Sequence, residues 1–295
     1  LVASAYCELN KIDPKSKEAY PGFILGWALE ILQAAYLVAD DLMDQSKTRR
    51  GKPCWYLKPN VGNSAVNDAL IVENMAFVLI DSLKMSVNNS ESMTSLPDEV
   101  IDKIASFMRQ MNLKTTIGQS LDYKCKTYME ECYSIIITHK TAYYTIYEPI
   151  MIGIIASQKV PEEIRTEETF TQFLLKIGYF FQAQDDFLDV YGDSTVTGKI
   201  GSDISEGKVT WMACQAFKHA NEQQKAQLEE NLGKNSPESI QTVKNLYDVL
   251  RIPQLFNEYS QGEQQALKDY QKVINQQLPV NTINELIEIL ISRKS

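Results

Sequence analysis

Apolar residues recur with a helical period along most of this chain. In several long segments they stand three and four positions apart, and the first of these segments is apolar almost all round, as in a buried helix. No window shows sustained apolar/polar alternation, and no Asn-Gly or Asp-Gly hairpin signal is present. Breakers such as Pro59, Pro161 and Pro253 fall between the periodic segments. The pattern predicts an all-α fold with long helices over residues 20–44, 65–86, 98–125 and 167–192.

No linker or low-complexity stretch divides the chain, so we predict a single domain over residues 1–295. A hydrophobic content of 44% in 295 residues is enough for a sizeable core. The first residues, "LVASAYCELN", contain no methionine and no recognisable targeting peptide. They look like the middle of a helix, and we expect further residues before them.

Charge and composition exclude several classes of protein. A net charge of −9 and a pI of about 4.9 argue against a nucleic-acid binder. No uninterrupted apolar run reaches 18 residues, which predicts no membrane span. Five scattered cysteines indicate reduced thiols inside the cell, so we expect a cytoplasmic location, or a mitochondrial one if a targeting segment is missing. With only two histidines, a bound metal would need carboxylate ligands, which favours Mg²⁺.

Two helices end in the pattern D-D-x-x-D, within "LVADDLMDQSKTRR" and "FQAQDDFLDVYGDSTVTGK". Asp40 and Asp44 stand at i and i+4 on one helix face, as do Asp185 and Asp189, where like charges repel. A helix C-terminus adds to this penalty through its dipole. A single cluster of this kind could equally be a solvated helix end without a function. Two clusters, each at the end of an apolar helix, are harder to explain in that way and indicate a common function. Facing carboxylate sets that hold several Mg²⁺ ions, and through them a diphosphate, are such a cause.

Cations follow both clusters: Lys47, Arg49 and Arg50 after the first, Lys199 and Lys208 after the second. Arginine suits bidentate phosphate contacts and lysine suits point-charge contacts. A "TRR" alone is more often surface than site, but next to D-D-x-x-D it is a candidate phosphate collar. Other carboxylate chemistries fit less well, because a glycosidase needs only two carboxylates and leaves the paired cationic loops unexplained.

The quoted motifs resemble those of animal farnesyl diphosphate synthases. The first reads "ILQAAYLVADDLMDQSKTRRGKPCWY", the second "FFQAQDDFLDVYGDSTVTGKIGSDI", and "TIGQSLDY" and "HKTAYYTIYEPI" lie between them. The resemblance covers about residues 1–260. It implies an isoprenoid synthase fold, a helical bundle around a central cavity, and usually a homodimer. It also implies three Mg²⁺ ions, with Mn²⁺ or Co²⁺ as substitutes, that join both clusters to an allylic diphosphate.

The resemblance also implies roles for individual residues. Direct metal binding falls to Asp40, Asp44 and Asp185, with support from Asp41, Asp186, Asp189 and Asp203. The allylic diphosphate would be held by Arg49, Lys140, Lys199 and Lys208. Isopentenyl diphosphate would be placed by Gln33, Arg50, Phe181 and Gln182, and Gln119 is a further substrate-binding candidate. The carbonyl of Lys140, with Thr141, would stabilise the allylic cation, so the catalytic candidates are Arg49, Lys140, Thr141 and Lys199.

The implied activity is condensation of isopentenyl diphosphate with dimethylallyl or geranyl diphosphate, with released pyrophosphate as the base. That chemistry explains a site without histidine. Two alternatives stay open. One is a terpene synthase that ionises a prenyl diphosphate without adding isopentenyl diphosphate, because the family's upstream glycine-lysine…arginine segment is not in this chain. The other is a non-catalytic regulatory subunit, which the intact aspartate and cationic residues argue against.

Product length is expected to depend on residues just before the first cluster. Tyr36 lies one helical turn, about 5.4 Å, below Asp40, a distance close to one isoprene unit. Ala35 opens space where the family often has phenylalanine, whereas Tyr36 closes it. Products of 10, 15 and 20 carbons stay possible, with 15 preferred. Glu148, where the family usually has an apolar residue, is expected either at the surface or facing the cavity.

Overall fold

The computed structural model describes residues 1–84, 95–192 and 201–293, and it confirms the all-α class. Short 3₁₀ turns occur at Lys17–Ala19, Trp55–Leu57 and Gly62–Ser64. The α-helices in these ranges are α1 (Val2–Asn10), α2 (Tyr20–Met43), α3 (Ala65–Asp81), α4 (Asp98–Lys124), α5 (Glu130–Ile137), α6 (Glu148–Ser157), α7 (Glu162–Arg165), α8 (Glu168–Tyr191), α9 (Asp203–Glu206), α10 (Trp211–His219), α11 (Glu222–Asn231), α12 (Pro237–Val249), α13 (Ile252–Gln271) and α14 (Val280–Ser292).

The four long helices predicted from periodicity are present as α2, α3, α4 and α8. Their observed ends lie within one or two residues of the prediction, except at the end of α3. That helix stops at Asp81, and its last turn tightens through a bond from the Leu83 amide to the Ile80 carbonyl. Leu83 is buried although it lies beyond the helix, which explains why the apolar period extends too far in the sequence.

A two-residue β-hairpin was not predicted. Strand β1 (Thr48–Arg49) pairs antiparallel with β2 (Lys52–Pro53). The turn residues Arg50 and Gly51 both have positive φ, +52° and +72°, the backbone that a two-residue type I′ turn requires. Asn-Gly or Asp-Gly is the usual sequence signal for this turn, and the Arg-Gly pair found here does not predict it. The hairpin turns the chain back after α2 and brings Arg49 beside the aspartates at the helix end.

A π-helix over Thr138–Tyr147 connects α5 to α6 and packs between α4 and α8. Two glycines permit this close approach. A Cβ on Gly118 of α4 would overlap the backbone nitrogen of Lys140, and one on Gly178 of α8 would lie 2.6 Å from the Cα of Ala142. π-helical turns are frequently found at functional sites. Here the tight packing brings the Lys140 ammonium to 3.4 Å from Asp40 of α2 and the Thr141 hydroxyl to 3.0 Å from Gln182 of α8.

One helix among the described residues, Lys17–Met43, is long and apolar enough to cross a membrane by length and composition. Its best 18-residue window has a mean hydropathy of 1.6, and 28% of that window is buried. This differs from the expectation based on uninterrupted runs, because isolated polar residues such as Gln33 break a run but hardly lower the average. Core helices of soluble proteins meet the same criterion, so the finding is weak evidence for a span.

Candidate active site

The two aspartate clusters face one cavity of about 910 Å³. Asp40 and Asp44 reach it from the end of α2, while Asp185 and Asp189 reach it from the last turns of α8. The structure also places further predicted residues in its wall: Arg49, Gln119, Lys140, Thr141, Gln182, Asp186, Asp203 and Lys208. Residues far apart in the chain therefore meet around one space.

Cations and an amide offset the repulsion within the first cluster. Asp40 accepts hydrogen bonds from Gln119 Nε2 at 2.7 Å and from Lys140 Nζ at 3.4 Å. Burial alone would raise the pKa of Asp40, but Lys140 and Lys208 outweigh it and hold that pKa below its ordinary value. Burial and the charge of Asp40 raise the pKa of Asp44, which accepts from Lys208 Nζ at 2.7 Å.

Asp41 points away from the cavity and holds Arg49. It is 3% exposed, and one of its oxygens accepts from Arg49 Nη2 at 2.6 Å and from Nε at 3.1 Å. The same guanidinium lies 3.4 Å from Asp40. A fork held by one carboxylate has a fixed direction, so Asp41 positions Arg49, which lines the cavity, while the Asp41 side chain does not line it.

Asp122, at the end of α4, links the two lysines of the site. Its Oδ2 accepts from Lys140 Nζ at 2.6 Å and from Lys208 Nζ at 2.9 Å. Burial would raise the pKa of Asp122, but the two ammonium groups lower it, so the carboxylate stays charged. The sequence analysis missed this residue. A signal exists, because Asp122 continues the buried face that runs through Met111, Thr115 and Gly118 of α4.

Asp186 is fixed by three donors. It accepts from Tyr133 Oη at 2.7 Å, from the Trp211 amide at 2.8 Å and from Gln182 Nε2 at 2.9 Å. Burial raises its pKa to about 7 in spite of these bonds. The Oε1 of Gln182 in turn accepts from the Thr141 hydroxyl at 3.0 Å. The second cluster and the π-helix are therefore joined through one glutamine.

The other two aspartates of the second cluster contact later parts of the chain. Asp189 accepts from the backbone amides of Ser202 at 3.3 Å and Asp203 at 3.0 Å, at the start of α9. Asp185 pairs with Arg293 Nη2 at 2.5 Å, and the Arg293 guanidinium lies 4.9 Å from the centre of the Phe181 ring. Arg293 also lines the cavity and was not predicted, because nothing near it in sequence marks it as a partner of α8.

Several predicted residues lie outside the central cavity. Arg50 is exposed in the hairpin turn, and Phe181 packs beneath Arg293. Gln33 lines a second, smaller cavity along α2. Lys199 falls outside the described residues. Ala35 is 5% exposed and lines neither cavity, so the space expected from its small side chain is filled by the protein.

Tyr36, in contrast, forms part of the cavity wall. Its hydroxyl donates to Asn112 Oδ1 at 3.0 Å, and Asn112 Nδ2 donates to Glu73 at 2.5 Å. Its ring meets the edge of Tyr144 from the π-helix, with ring centres 5.5 Å apart. Glu148 is fully buried, so the alternative that placed it at the surface is wrong.

Carboxylate oxygens are the donors that Mg²⁺ prefers, so the residues facing the cavity fit this ion chemically. Across residues 1–84, 95–192 and 201–293, however, no three acidic, histidine or cysteine side chains converge closely enough to form a ready cation site. In this arrangement Asp44 is paired with Lys208 and Asp185 is paired with Arg293. Metal binding would require these cations to move.

Fold and site together define a class of all-α proteins in which two aspartate clusters and a set of cations surround one cavity. A family model for polyprenyl synthetases matches residues 1–250, and the chain belongs to this family. The farnesyl pyrophosphate synthase of Mus musculus is 35% identical over 99% of this chain and 82% of its own length. That of Schizosaccharomyces pombe is 36% identical over 86% of this chain and 72% of its own.

Solved structures agree with these sequence comparisons. Farnesyl diphosphate synthase of T. brucei complexed with risedronate matches all of this chain and 85% of its own, with a TM-score of 0.85 and 25% identity. The family resemblance and the predicted isoprenoid synthase fold are thereby confirmed. The roles of single residues are not tested by these comparisons and stay predictions.

Proposed function

We propose that this chain is a short-chain trans-prenyltransferase. It condenses isopentenyl diphosphate with dimethylallyl or geranyl diphosphate and makes farnesyl diphosphate. The observation that carries the proposal is the meeting of Asp40 and Asp44 with Asp185 and Asp189 around one cavity, with cations between them. Relatives with 31–36% identity are named farnesyl pyrophosphate synthases, or probable ones, which supports this activity over terpene formation.

Mg²⁺ is the proposed cofactor, with three ions per site and with Mn²⁺ or Co²⁺ as substitutes. Asp40, Asp44 and Asp185 would hold it, and Asp189 would support them. When bound, Mg²⁺ supplies positive charge that assists departure of the diphosphate leaving group. The support is the chemistry of the donor set, in which hard carboxylate oxygens face one space.

Lys140 and Lys208 would bind the allylic diphosphate. Burial alone would lower the pKa of Lys140, but Asp122 and Asp40 outweigh it and raise that pKa, so the ammonium is charged at neutral pH. Each lysine contacts Asp122 and one aspartate of the first cluster. A diphosphate could replace the cluster aspartate as partner while Asp122 keeps both ammonium groups aimed at the cavity. Arg49, held by Asp41, would add a bidentate contact.

The developing allylic cation would lie against the π-helix. Thr141 and the backbone carbonyl of Lys140 offer partial negative charge there, and the rings of Tyr36 and Tyr144 line the cavity. The alkene of isopentenyl diphosphate forms the new carbon–carbon bond to the allylic cation, and released pyrophosphate takes the proton. Gln33, Arg50 and Phe181 do not face this cavity, so their predicted contact with isopentenyl diphosphate would need a rearrangement.

A homodimer is the proposed assembly. An apolar stripe of exposed side chains covers two neighbouring helices and consists of Val66, Leu70, Ile71, Met75 and Val78 on α3 and Leu113, Ile117 and Leu121 on α4. The α4 members stand at i, i+4 and i+8 and so share one face. Contiguous exposed apolar surface of this kind marks protein–protein contacts. A second copy of the chain is the occupant that we propose.

The dimer can be tested by light scattering after size-exclusion chromatography. We expect a mass twice the 33.5 kDa of one chain. Leu113→Glu, within the stripe, should give monomer. Val273→Glu is the matched control, because Val273 is 75% exposed but lies outside the stripe. Dimer in both variants, or monomer in the unmodified protein, would contradict this assembly.

A cytoplasmic location is also proposed. All five cysteines are free, and three of them, Cys7, Cys54 and Cys214, are buried. Buried unpaired thiols are typical of proteins in reducing compartments. Fluorescence imaging of the tagged full-length protein would test this, and a signal confined to the secretory pathway would refute it.

Activity is tested by incubating the protein and Mg²⁺ with dimethylallyl, geranyl or farnesyl diphosphate, with and without isopentenyl diphosphate. Longer prenyl alcohols after phosphatase treatment, formed only with isopentenyl diphosphate, are expected. Asp40→Ala and Asp185→Ala should abolish them, whereas Asp102→Ala, at an exposed carboxylate on α4, should not. Hydrocarbons formed without isopentenyl diphosphate, or full activity in both cavity variants, would overturn the proposal.

A further inference from the structure

The short connection between α4 and α5 reaches the end of helix α9, just before Lys208. The ammonium of Lys126 donates to the backbone carbonyls of Glu206 and Gly207, at 2.9 Å each. The hydroxyl of Tyr128 donates to the same Gly207 carbonyl at 3.1 Å. Carbonyls at a helix C-terminus have no partner within the helix, and a nearby lysine can supply one. These two side chains therefore cap a helix end that lies 79 to 81 residues later in the chain.

The backbone that leads into Lys208 has little freedom. Gly207 ends α9 in the left-handed region, with a φ of +63°, and the amide of Lys208 donates to the carbonyl of Asp203 at 3.0 Å. A Cβ on Gly207 would lie only 3.0 Å from the Cα of Gly233, so the two glycines pack closely. The turn before Lys208 is thus held by hydrogen bonds and by close packing.

The same stretch of chain also holds the other end of Lys208. Asp122 lies four residues before Lys126 and accepts from the ammonium of Lys208 at 2.9 Å. The ring of Tyr128 stacks on Phe217 of α10, with ring centres 4.7 Å apart and an angle of 3° between the planes. A lysine ammonium sits on a flexible four-carbon stem, so its position is defined only when both ends of the side chain are held.

We propose that Lys126 and Tyr128 are positioning residues for diphosphate binding and that they act through Lys208. This inference rests on the proposed role of Lys208 in holding the allylic diphosphate. Neither Lys126 nor Tyr128 lines the central cavity, so they act on the backbone of Lys208 and not on the ligand. Charge-assisted contacts with phosphate depend on short, well-directed hydrogen bonds, and a small displacement of Lys208 would weaken them.

The effect of this positioning has to be separated from the effect of charge. Burial and the positive charge of Lys208 lower the pKa of Lys126, so the two cations lie close enough to influence each other. Removal of Lys126 would therefore also change the charge near the cavity. Tyr128 makes the separation possible, because burial raises the pKa of its hydroxyl, which stays neutral and still donates to Gly207.

The test is equilibrium binding of inorganic pyrophosphate in the presence of Mg²⁺, measured by calorimetry. Lys126→Met should raise the Kd about fivefold or more, and Tyr128→Phe, which changes no charge, about twofold or more. Lys126→Arg keeps the charge and the donors and should restore the Kd to within about twofold. Lys124→Met is the matched control, because Lys124 is an exposed lysine two residues away at the end of α4. It should change the Kd less than about twofold.

The same variants are then combined with Lys208→Met. Because the proposed effect passes through Lys208, the penalties of Lys126→Met and Tyr128→Phe should disappear in that background. Penalties of the same size in both backgrounds, or a penalty of Lys126→Met no larger than that of Lys124→Met, would overturn the inference. Thermal melting of each variant checks that it is folded.

Turnover gives a second readout. Lys126→Met should raise the KM for the allylic diphosphate and leave the KM for isopentenyl diphosphate unchanged, whereas a general loss of structure would affect both. Absence of elongation by the unmodified protein would refute the proposed prenyl transfer, while the pyrophosphate measurements still decide the role of Lys126 and Tyr128. Absence of pyrophosphate binding by the unmodified protein would refute that role as well.

Discussion

Asp122→Asn should destabilise the protein more than any exposed change on the same helix. The carboxylate oxygen that this change neutralises contacts two ammonium groups, at 2.6 Å and 2.9 Å. At an effective dielectric constant of about 20, each contact is worth about 6 kcal/mol before desolvation is counted. Removing one partner of a buried ion pair costs about 3–5 kcal/mol net. Because Lys140 and Lys208 each keep a second aspartate, we expect the lower end, about 3 kcal/mol, or about 5 °C in Tm.

The pH dependence has a definite sign. The lysines hold the pKa of Asp122 below its ordinary value of 3.8, so the stabilisation is fully present above that value and is lost as the pH falls below it. Urea unfolding of both proteins should show a constant gap from pH 7 to 5 and a shrinking gap below about pH 4. Asp102→Asn is the control, since its surface pair with Lys84 is worth under about 1 kcal/mol. A gap at pH 7 no larger than that of the control would refute the reasoning.

Four further changes have defined outcomes. Gly118→Ala should lower the free energy of unfolding in urea by about 3 kcal/mol or more, because the new methyl group overlaps the backbone at Lys140. Gly262 has open space around it, so Gly262→Ala should raise the free energy of unfolding by about 0.5–1 kcal/mol. Tyr36→Phe should cost about 1–2 kcal/mol because Asn112 Oδ1 loses its donor, and product length measured by gas chromatography should be unchanged. The pKa of Glu148 is raised in the folded protein, so above the ordinary value of 4.5 the folded protein keeps a proton that the unfolded chain releases. The unmodified protein therefore loses stability as the pH rises above 4.5. The Glu148→Gln variant does not titrate there, and its stability relative to the unmodified protein should rise by about 1.4 kcal/mol per pH unit. A pH-independent difference in melting would contradict that account.

The fold and the centre of the site could be predicted because their signals are local. A helical period over twenty residues specifies α2 and α8 directly. Like charges four residues apart at the end of an apolar helix repel each other, so Asp40 and Asp44 predict that a positively charged partner lies nearby. The sequence near these aspartates does not show which residue is that partner. In this structure Asp44 is met by Lys208, 164 residues away.

Other features depend on contacts that no short pattern encodes. The π-helix requires glycines on both neighbouring helices, Gly118 and Gly178, and neither lies in its own segment. Arg293 reaches Asp185 across 108 residues of sequence. Glu148 reads as an exposed residue by type, yet its burial follows from the packing of α6 against α1 and α4. Helix propensity and charge patterns describe one helix at a time. The positions of the π-helix, Arg293 and Glu148 depend on how different helices pack against each other.

Charge balance in the central cavity bears on how a diphosphate can enter. Among the residues that the structure describes, which do not include Lys199, eight acidic side chains line it, against the four cations Arg49, Lys140, Lys208 and Arg293. A diphosphate brings further negative charge. If Lys140 and Lys208 simply exchanged their aspartate partners for phosphate, the number of positive charges in the cavity would not increase, and entry of the diphosphate would not become favourable. Each transfer leaves a carboxylate without its counter-charge, which is costly where the site is partly buried. Divalent cations held by Asp40 and Asp44 would supply the missing positive charge, and Lys140 and Lys208 would then be available to contact the phosphate. Asp122, which accepts hydrogen bonds from both lysines, would keep them within reach of the phosphate.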